Sequence, residues 1–131
     1  MNWNSIQNGI YLDSRNGGNG KGLLDDIALK SFGDYGLAAN NALLFEKSKT
    51  GSNPEKNNIH KKRIVLFREP PANSKIENSV MKELTGGGDF SARGHFETNT
   101  KKKLHLTMIL ECNKRPLFAE DPKDADVRRL I

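Results

Sequence analysis

The chain has a single cysteine, Cys112, so no disulfide can form within it and a reducing compartment is expected. It has no apolar run near the roughly 18 residues that a membrane-spanning helix needs. Its start, MNWNSIQNGIYL, carries neither the basic residues nor the long apolar stretch of a secretory signal. No internal repeat or low-complexity tract interrupts it. His60, His95, His105 and Cys112 are scattered without metal-ligand spacing, which argues against a zinc site. No nucleophile stands beside a base, so covalent hydrolytic chemistry is not indicated. These absences leave a soluble intracellular protein as the expectation.

What is present narrows it further. At 131 residues the chain is one domain or a piece of one. A hydrophobic share of 35% and a mean hydropathy of −0.68 give it a lean core. Lys and Arg number 21 against 16 Asp and Glu, a net charge of +5. A pI near 9.4 favours an anionic partner, nucleic acid first, although a lysine-rich solvated surface gives the same balance.

Strand and helix signals alternate along the chain. Ile10-Tyr11-Leu12 ends at a polar, glycine-rich loop and suits a buried strand. Leu23, Leu24, Ile27 and Phe32 recur at helical spacing, which predicts a helix over 21–32 stopped by Gly33. Residues 41–45 suit a second strand, and 48–58 a loop or a loosely held helix start. Arg63-Ile64-Val65-Leu66-Phe67 is the clearest strand, closed by Pro70-Pro71. Ile76, Val80, Met81 and Leu84 predict a helix over 74–84, with Asn73 or Ser74 as cap and three glycines after it. Residues 90–104 suit a hairpin, and 104–110 another strand. Alternation of this kind indicates an α/β fold with a largely parallel sheet. The chain stops on the apolar Leu130-Ile131, so a domain truncated at the C-terminus is expected.

Two stretches carry chemistry. Triphosphate binding needs backbone amides converging on oxygens at a helix N-terminus, with a lysine reaching the β and γ oxygens. Gly17, Gly18, Asn19, Gly20, Lys21 and Gly22 supply these parts between a predicted strand and a predicted helix. Measured against G-x-x-x-x-G-K-[ST], Arg15 replaces the first glycine and Gly22 replaces the hydroxyl residue that ordinarily ligates Mg²⁺. A glycine-rich turn that merely caps a helix fits the same residues. The second stretch, Arg63 to Glu69, ends an apolar strand in a carboxylate that can hold Mg²⁺ through water or polarise an attacking water. Arg68 stands where another acid is often found, so Glu69 is the single acid there. The strand over 106–110 ends in Glu111-Cys112-Asn113, where the amide of Asn113 could orient water beside the acidic strand.

Taken in order, "GGNGKG", "RIVLFREP", "MKELTGGGDFSARG", "LTMILECNKRP" and "DADVRRLI" resemble the superfamily 3 helicases. The likeness is to the ATPase domain of poxvirus-type and giant-virus helicase-primases, with related phage and plasmid primases. It runs from about Gly9 to Ile131. The resemblance implies a P-loop NTPase with an AAA+-like parallel sheet flanked by helices and an inserted β-hairpin. It implies a motor that uses ATP and Mg²⁺ to translocate on single-stranded or forked DNA. Partners by the same route are further copies in a hexameric ring, a primase domain and replication proteins, at a viral replication site in the host cytoplasm or nucleus.

The resemblance also assigns roles. Lys21 would contact the β and γ phosphates, and Glu69 would act with Mg²⁺ and water. Asn113 would be the sensor-like polar residue, and Arg128 or Arg129 the arginine finger acting on a neighbouring subunit's ATP. Lys82, Thr85 and Asp89 fall in an additional motif, with Lys82 and Arg93 among the residues turned to DNA. The departures at Arg15, Gly22 and Arg68 bear on Mg²⁺ more than on nucleotide. Arg93 to Phe96 and Lys101, Lys102 and Lys103 flank a polar turn, and a basic hairpin tip with an aromatic can track a phosphate backbone. In the resembling family a hairpin here projects into the ring channel. A second reading is a catalytically impaired nucleotide- or DNA-binding fragment of a helicase-primase.

Overall fold

The structure, a computed structural model, describes residues 9–13, 18, 20–45, 54–85, 89–92 and 100–124. Four strands form a parallel sheet: β1 (Gly9–Asp13), β2 (Gly36–Ala38), β3 (Ile64–Arg68) and, later in the chain, the strand over Thr107–Cys112. Before that last strand come β4 (Lys75–Ile76), β5 (Asp89–Ala92) and β6 (Thr100–Lys103), so it is β7, and Leu117–Phe118 is β8. The helices are α1 (Lys21–Phe32), α2 (Ala42–Phe45), α3 (Pro54–Ile59) and α4 (Asn78–Thr85). The sheet order is β1-β7-β3-β2, so the last strand inserts between the first and the third. Ile64 pairs with Thr107 and Arg68 with Glu111, while Leu12 meets Glu111 from the other side.

Strand alternation sorts the side chains of β3 and β7 onto two faces. Val65, Phe67, Met108, Leu110 and Cys112 share one face and join the main core with Leu43, Leu44, Ile59, Ile76, Val80, Met81 and Leu84. That face is covered by α2, α3 and α4. The other carries Ile64, Leu66, Arg68, Thr107, Ile109 and Glu111, and α1 lies against it. Burial on both faces explains why β3 reads as a continuous apolar run. Helices on both faces of a parallel sheet give the expected α/β architecture.

Helix α1 forms where the spacing predicts it, but with a different inner face. Leu23, Leu24 and Ile27 are 67%, 55% and 53% exposed, whereas Asp25 is buried at 1%. The apolar residues set the helical period without deciding which side meets the sheet. Gly36 permits the helix to approach, since a Cβ there would stand 3.1 Å from the Leu29 side chain.

Two expectations are corrected. Residues 41–45 are not a strand. The Asn40 side chain accepts a hydrogen bond from the Ala42 amide at 2.9 Å, turning the chain into α2 and burying Leu43 and Leu44. The strand at this point is β2, five residues earlier and too short to show a period. The helix over 74–84 begins only at Asn78, because Lys75–Ile76 pair with β8 and the Asn78 side chain accepts from the Glu120 amide. The hairpin is present as antiparallel β5 and β6, with Asp89 opposite Lys103 and Ser91 opposite Lys101. Among the described residues no helix is long and apolar enough to cross a membrane.

Candidate functional site

The carboxyl ends of β1, β3 and β7 converge on the N-terminus of α1. Gly20 caps the helix with a left-handed backbone (φ 82°), a conformation that glycine adopts without cost. Its carbonyl accepts the Leu24 amide at 3.0 Å, the first helical bond. No side chain caps the N-terminus and no acidic residue occupies the first turn. Amides left over at a helix start, with the positive end of the helix dipole, form a place for an anion. Lys21 is half-buried beside them, and its Nζ lies 3.4 Å from Oδ1 of Asn113, just past β7. Gly18 is also left-handed (φ 81°) and exposed. Gly22 faces open space, with nothing within 4 Å of an added Cβ.

Beneath this edge sits a set of charges that no motif singles out. Asp25, one helical turn after Lys21, is buried and lies 3.5 Å from Nε of Arg68. Asp26 takes the other end of the same guanidinium, with Nη2 donating to Oδ1 at 2.8 Å. That hydrogen bond is the main reason Arg68 is held protonated even more firmly than an ordinary arginine. Glu111, in register with Arg68, is also buried. Burial holds its carboxyl above the usual range, and a hydrogen bond with Asp25 and the Asp25 charge add to this, against Lys21 and Arg68. Asp25 otherwise has no hydrogen-bond donor on either oxygen. The adjacent acids Asp25-Asp26 inside an apolar helical stretch were the one sequence signal for this cluster.

Glu69 follows β3 at the same edge and is exposed. Its backbone is left-handed (φ 42°), an uncommon state for a glutamate that costs on the order of 1 kcal/mol. The surroundings impose it: the Glu69 amide donates to the Glu111 carbonyl at 3.0 Å. The Asn41 side-chain amide donates to the carbonyls of Arg68 at 2.8 Å and Glu69 at 3.4 Å. Asn41 is thus a supporting residue that no motif would have found.

The expected site residues divide accordingly. Gly20, Lys21, Gly22, Glu69 and Asn113 share one edge of the sheet. Lys82 is exposed on α4, the helix of the opposite face, and does not join them. Lys101, Lys102 and Lys103 lie on β6 of the hairpin. Gly17, Asn19, Arg93, Arg128 and Arg129 lie outside the described residues. A nucleotide's phosphates fit the uncapped amides and Lys21. A divalent cation finds Glu69 at this edge but no hydroxyl at position 22.

No family model matches the chain. It is 31% identical over 123 residues to a protein named "Putative helicase L207/L206" from Acanthamoeba polyphaga mimivirus, a match covering 92% of this chain and 13% of that protein. Among solved structures, the apo C-terminal region of NrS-1 (305–718) superposes with a TM-score of 0.66 at 21% identity, over 95% of this chain and 29% of that one. Another apo form of that region gives 0.66 at 23% identity, over 95% and 28%. The chain therefore spans about an eighth of its mimivirus relative and under a third of these solved chains. The sequence relationship to the mimivirus protein and the fold shared with the NrS-1 region support the reading of this chain as a viral helicase-primase-like domain.

Proposed function

We propose that this domain is the ATP-binding motor portion of a viral-type DNA helicase, a P-loop NTPase of the AAA+-like superfamily 3 kind. The observation that carries the reading is the meeting of Lys21 with Asn113, 92 residues apart, at an uncapped helix N-terminus. Gly18, Gly20 and Gly22 with the α1 amides would cradle the phosphates, and Lys21 would offset the β and γ charge. Gly17 and Asn19 belong to the same loop by sequence. Glu69 would hold Mg²⁺ through water or polarise the attacking water, and Asn113 would orient that water. Mg²⁺, when bound with ATP, supplies charge neutralisation on the phosphates. Arg128 or Arg129 would reach the nucleotide of an adjacent copy, which places hydrolysis at subunit interfaces of a ring. Lys82, Arg93 and Lys101 to Lys103 are assigned to DNA, and a primase domain and replication proteins to the rest of a longer chain.

A second reading, a nucleotide- or DNA-binding fragment impaired in catalysis, is favoured by two observations. Position 22 offers no hydroxyl, and the arginine before Glu69 is committed to Asp25 and Asp26. One experiment separates the two. Mg²⁺-dependent ATPase activity is measured with and without single-stranded DNA for wild type, Lys21→Ala and Arg129→Ala, in this chain and in an extended one. DNA-stimulated turnover lost in both variants supports the motor. Nucleotide binding without turnover in the extended chain supports the impaired fragment, no nucleotide binding in either chain sinks the motor, and no binding of nucleotide or single-stranded DNA sinks both.

A further inference from the structure

The edge of the sheet opposite the phosphate loop carries a second concentration of chemistry. Lys61, Lys62 and Arg63 stand immediately before β3, and Tyr35 immediately before β2. The two segments are joined by backbone, since the Arg63 amide donates to the Tyr35 carbonyl at 2.7 Å. Lys62 Nζ donates to the carbonyl of Asp34 at 2.6 Å, and Arg63 Nη1 to the carbonyl of His105 at 3.0 Å. Carbonyl tethers of this kind fix a cation in place without neutralising it. Among the described residues no carboxylate pairs with Lys61, Lys62 or Arg63. The ion pairs of Arg68 with Asp25 and Asp26 lie at the far edge.

Beside these cations Tyr35 is 60% exposed, in the turn that leads into β2, the edge strand of the sheet. The exposed Tyr35 ring thus stands beside three cations that have no paired carboxylate among the described residues, with Asp34 the acid next to it in the chain. The combination suits a polyanion that also has flat rings to stack. Cations meet the phosphates, and stacking on an aromatic tolerates any base. Duplex DNA shields its bases from such a ring, whereas a single strand offers them.

We propose that Tyr35 with Lys61, Lys62 and Arg63 forms a binding surface for single-stranded nucleic acid, separate from the nucleotide site. Nucleic acid as the polyanion rests on the helicase reading above, while the surface itself rests on the geometry. Strand β3 spans five residues, so the two sites stand about 16 Å apart at roughly 3.3 Å per residue. The hairpin returns to the sheet at this same edge, where β6 leads through Leu104, His105 and Leu106 into β7. A strand held on the patch therefore lies beside the root of the hairpin.

The test is fluorescence anisotropy with a fluorescein-labelled 20-mer of thymidine, across a salt series. Lys61→Glu with Arg63→Glu should weaken binding at least tenfold at low salt. It should also flatten the log–log salt slope by about 1.4, from two lost phosphate contacts on a single strand. Tyr35→Ala should weaken binding at least fivefold with the slope unchanged, and Tyr35→Trp should restore it. A duplex 20-mer should not respond to Tyr35→Ala. ATP affinity should stay at the wild-type value in all of these variants, whereas Lys21→Ala changes it only if the nucleotide reading holds, so the two ideas fail separately. Thermal unfolding checks that each variant is folded, with the single exposed change Lys61→Ala as the mild alternative. The proposal is overturned if wild type does not bind the 20-mer, or if the variants bind within twofold of wild type. It is equally overturned if charge reversal weakens heparin and the 20-mer alike while Tyr35→Ala changes nothing.

Discussion

Asp25 on α1 lies 3.5 Å from the Nε of Arg68 at the end of β3, and only the aspartate of this pair is buried. The pair fastens the phosphate-loop helix to the sheet at the point where an apolar contact would be ordinary. Removing one partner leaves the other exposed to the full cost of its burial.

Arg68→Gln should lower the unfolding free energy by about 1–3 kcal/mol, the lower range because water can reach part of the guanidinium site. Adding Asp25→Asn should recover part of that loss, since the buried charge goes with its counter-ion. Urea denaturation of the single and double variants measures both. A change below about 0.5 kcal/mol for Arg68→Gln would mean that the pair does not fasten the helix.

The open space at Gly22 yields an expectation in the opposite direction. Gly22→Ser meets no atom within 4 Å, so a hydroxyl can be added without strain. Calorimetric titration of ATP should show several-fold tighter binding with Mg²⁺ present and no change with EDTA. Gly20→Ala, at φ 82°, should cost roughly 1–2 kcal/mol of stability and weaken ATP under both conditions.

Lys21, Glu69 and Asn113 should separate binding from turnover. Lys21→Ala removes a phosphate contact and should weaken ATP at least tenfold. Glu69→Gln and Asn113→Ala should bind ATP within about threefold of wild type. Turnover in an extended, active chain should drop by roughly 10² or more for Glu69→Gln. Equal loss of affinity in all three would show that Glu69 and Asn113 serve the fold instead of the chemistry.

Glu111 sets a pH dependence with a definite sign. Its carboxyl holds its proton above the usual carboxylate range when folded, first through burial and then through the bond to Asp25. Below the ordinary glutamate value both states are protonated and the contribution is fully present. As pH rises above that value the unfolded chain ionises first, so the folded state binds more protons and stability falls until Glu111 itself ionises. The melting temperature of wild type minus that of Glu111→Gln should therefore decline from about pH 4 towards neutrality. A difference that is flat or rising with pH would contradict the raised Glu111 carboxyl.

Much of the fold was legible because local patterns happened to agree with it. Val65, Leu66 and Phe67 form an apolar run that only a strand buried on both faces requires, and the helical spacing of Leu23 to Phe32 needs no partner to be read. Short elements escaped: β2 is three residues long, and Asn40 turned an apolar stretch towards α2 by a bond of its side chain. In the site, the glycines, Lys21, Glu69 and Asn113 were legible as motif positions. Asn41, Asp25 and the weight of Glu111 were not, because their significance lies in what faces them across 27 to 86 residues of chain.

The sequence by itself determined the α/β alternation, the lysine-bearing glycine loop before a helix, and the order of elements that resembles a viral helicase. It could do so because backbone preferences and side-chain periods act over a few residues. Only the tertiary structure decided that β7 inserts between β1 and β3, which sets Asn113 beside Lys21 and Glu111 beneath it. It also decided that α1 turns Asp25 inwards and leaves Leu23, Leu24 and Ile27 in water. Strand order and helix rotation depend on contacts between residues distant in the chain, where burial and charge pairing outweigh local propensity.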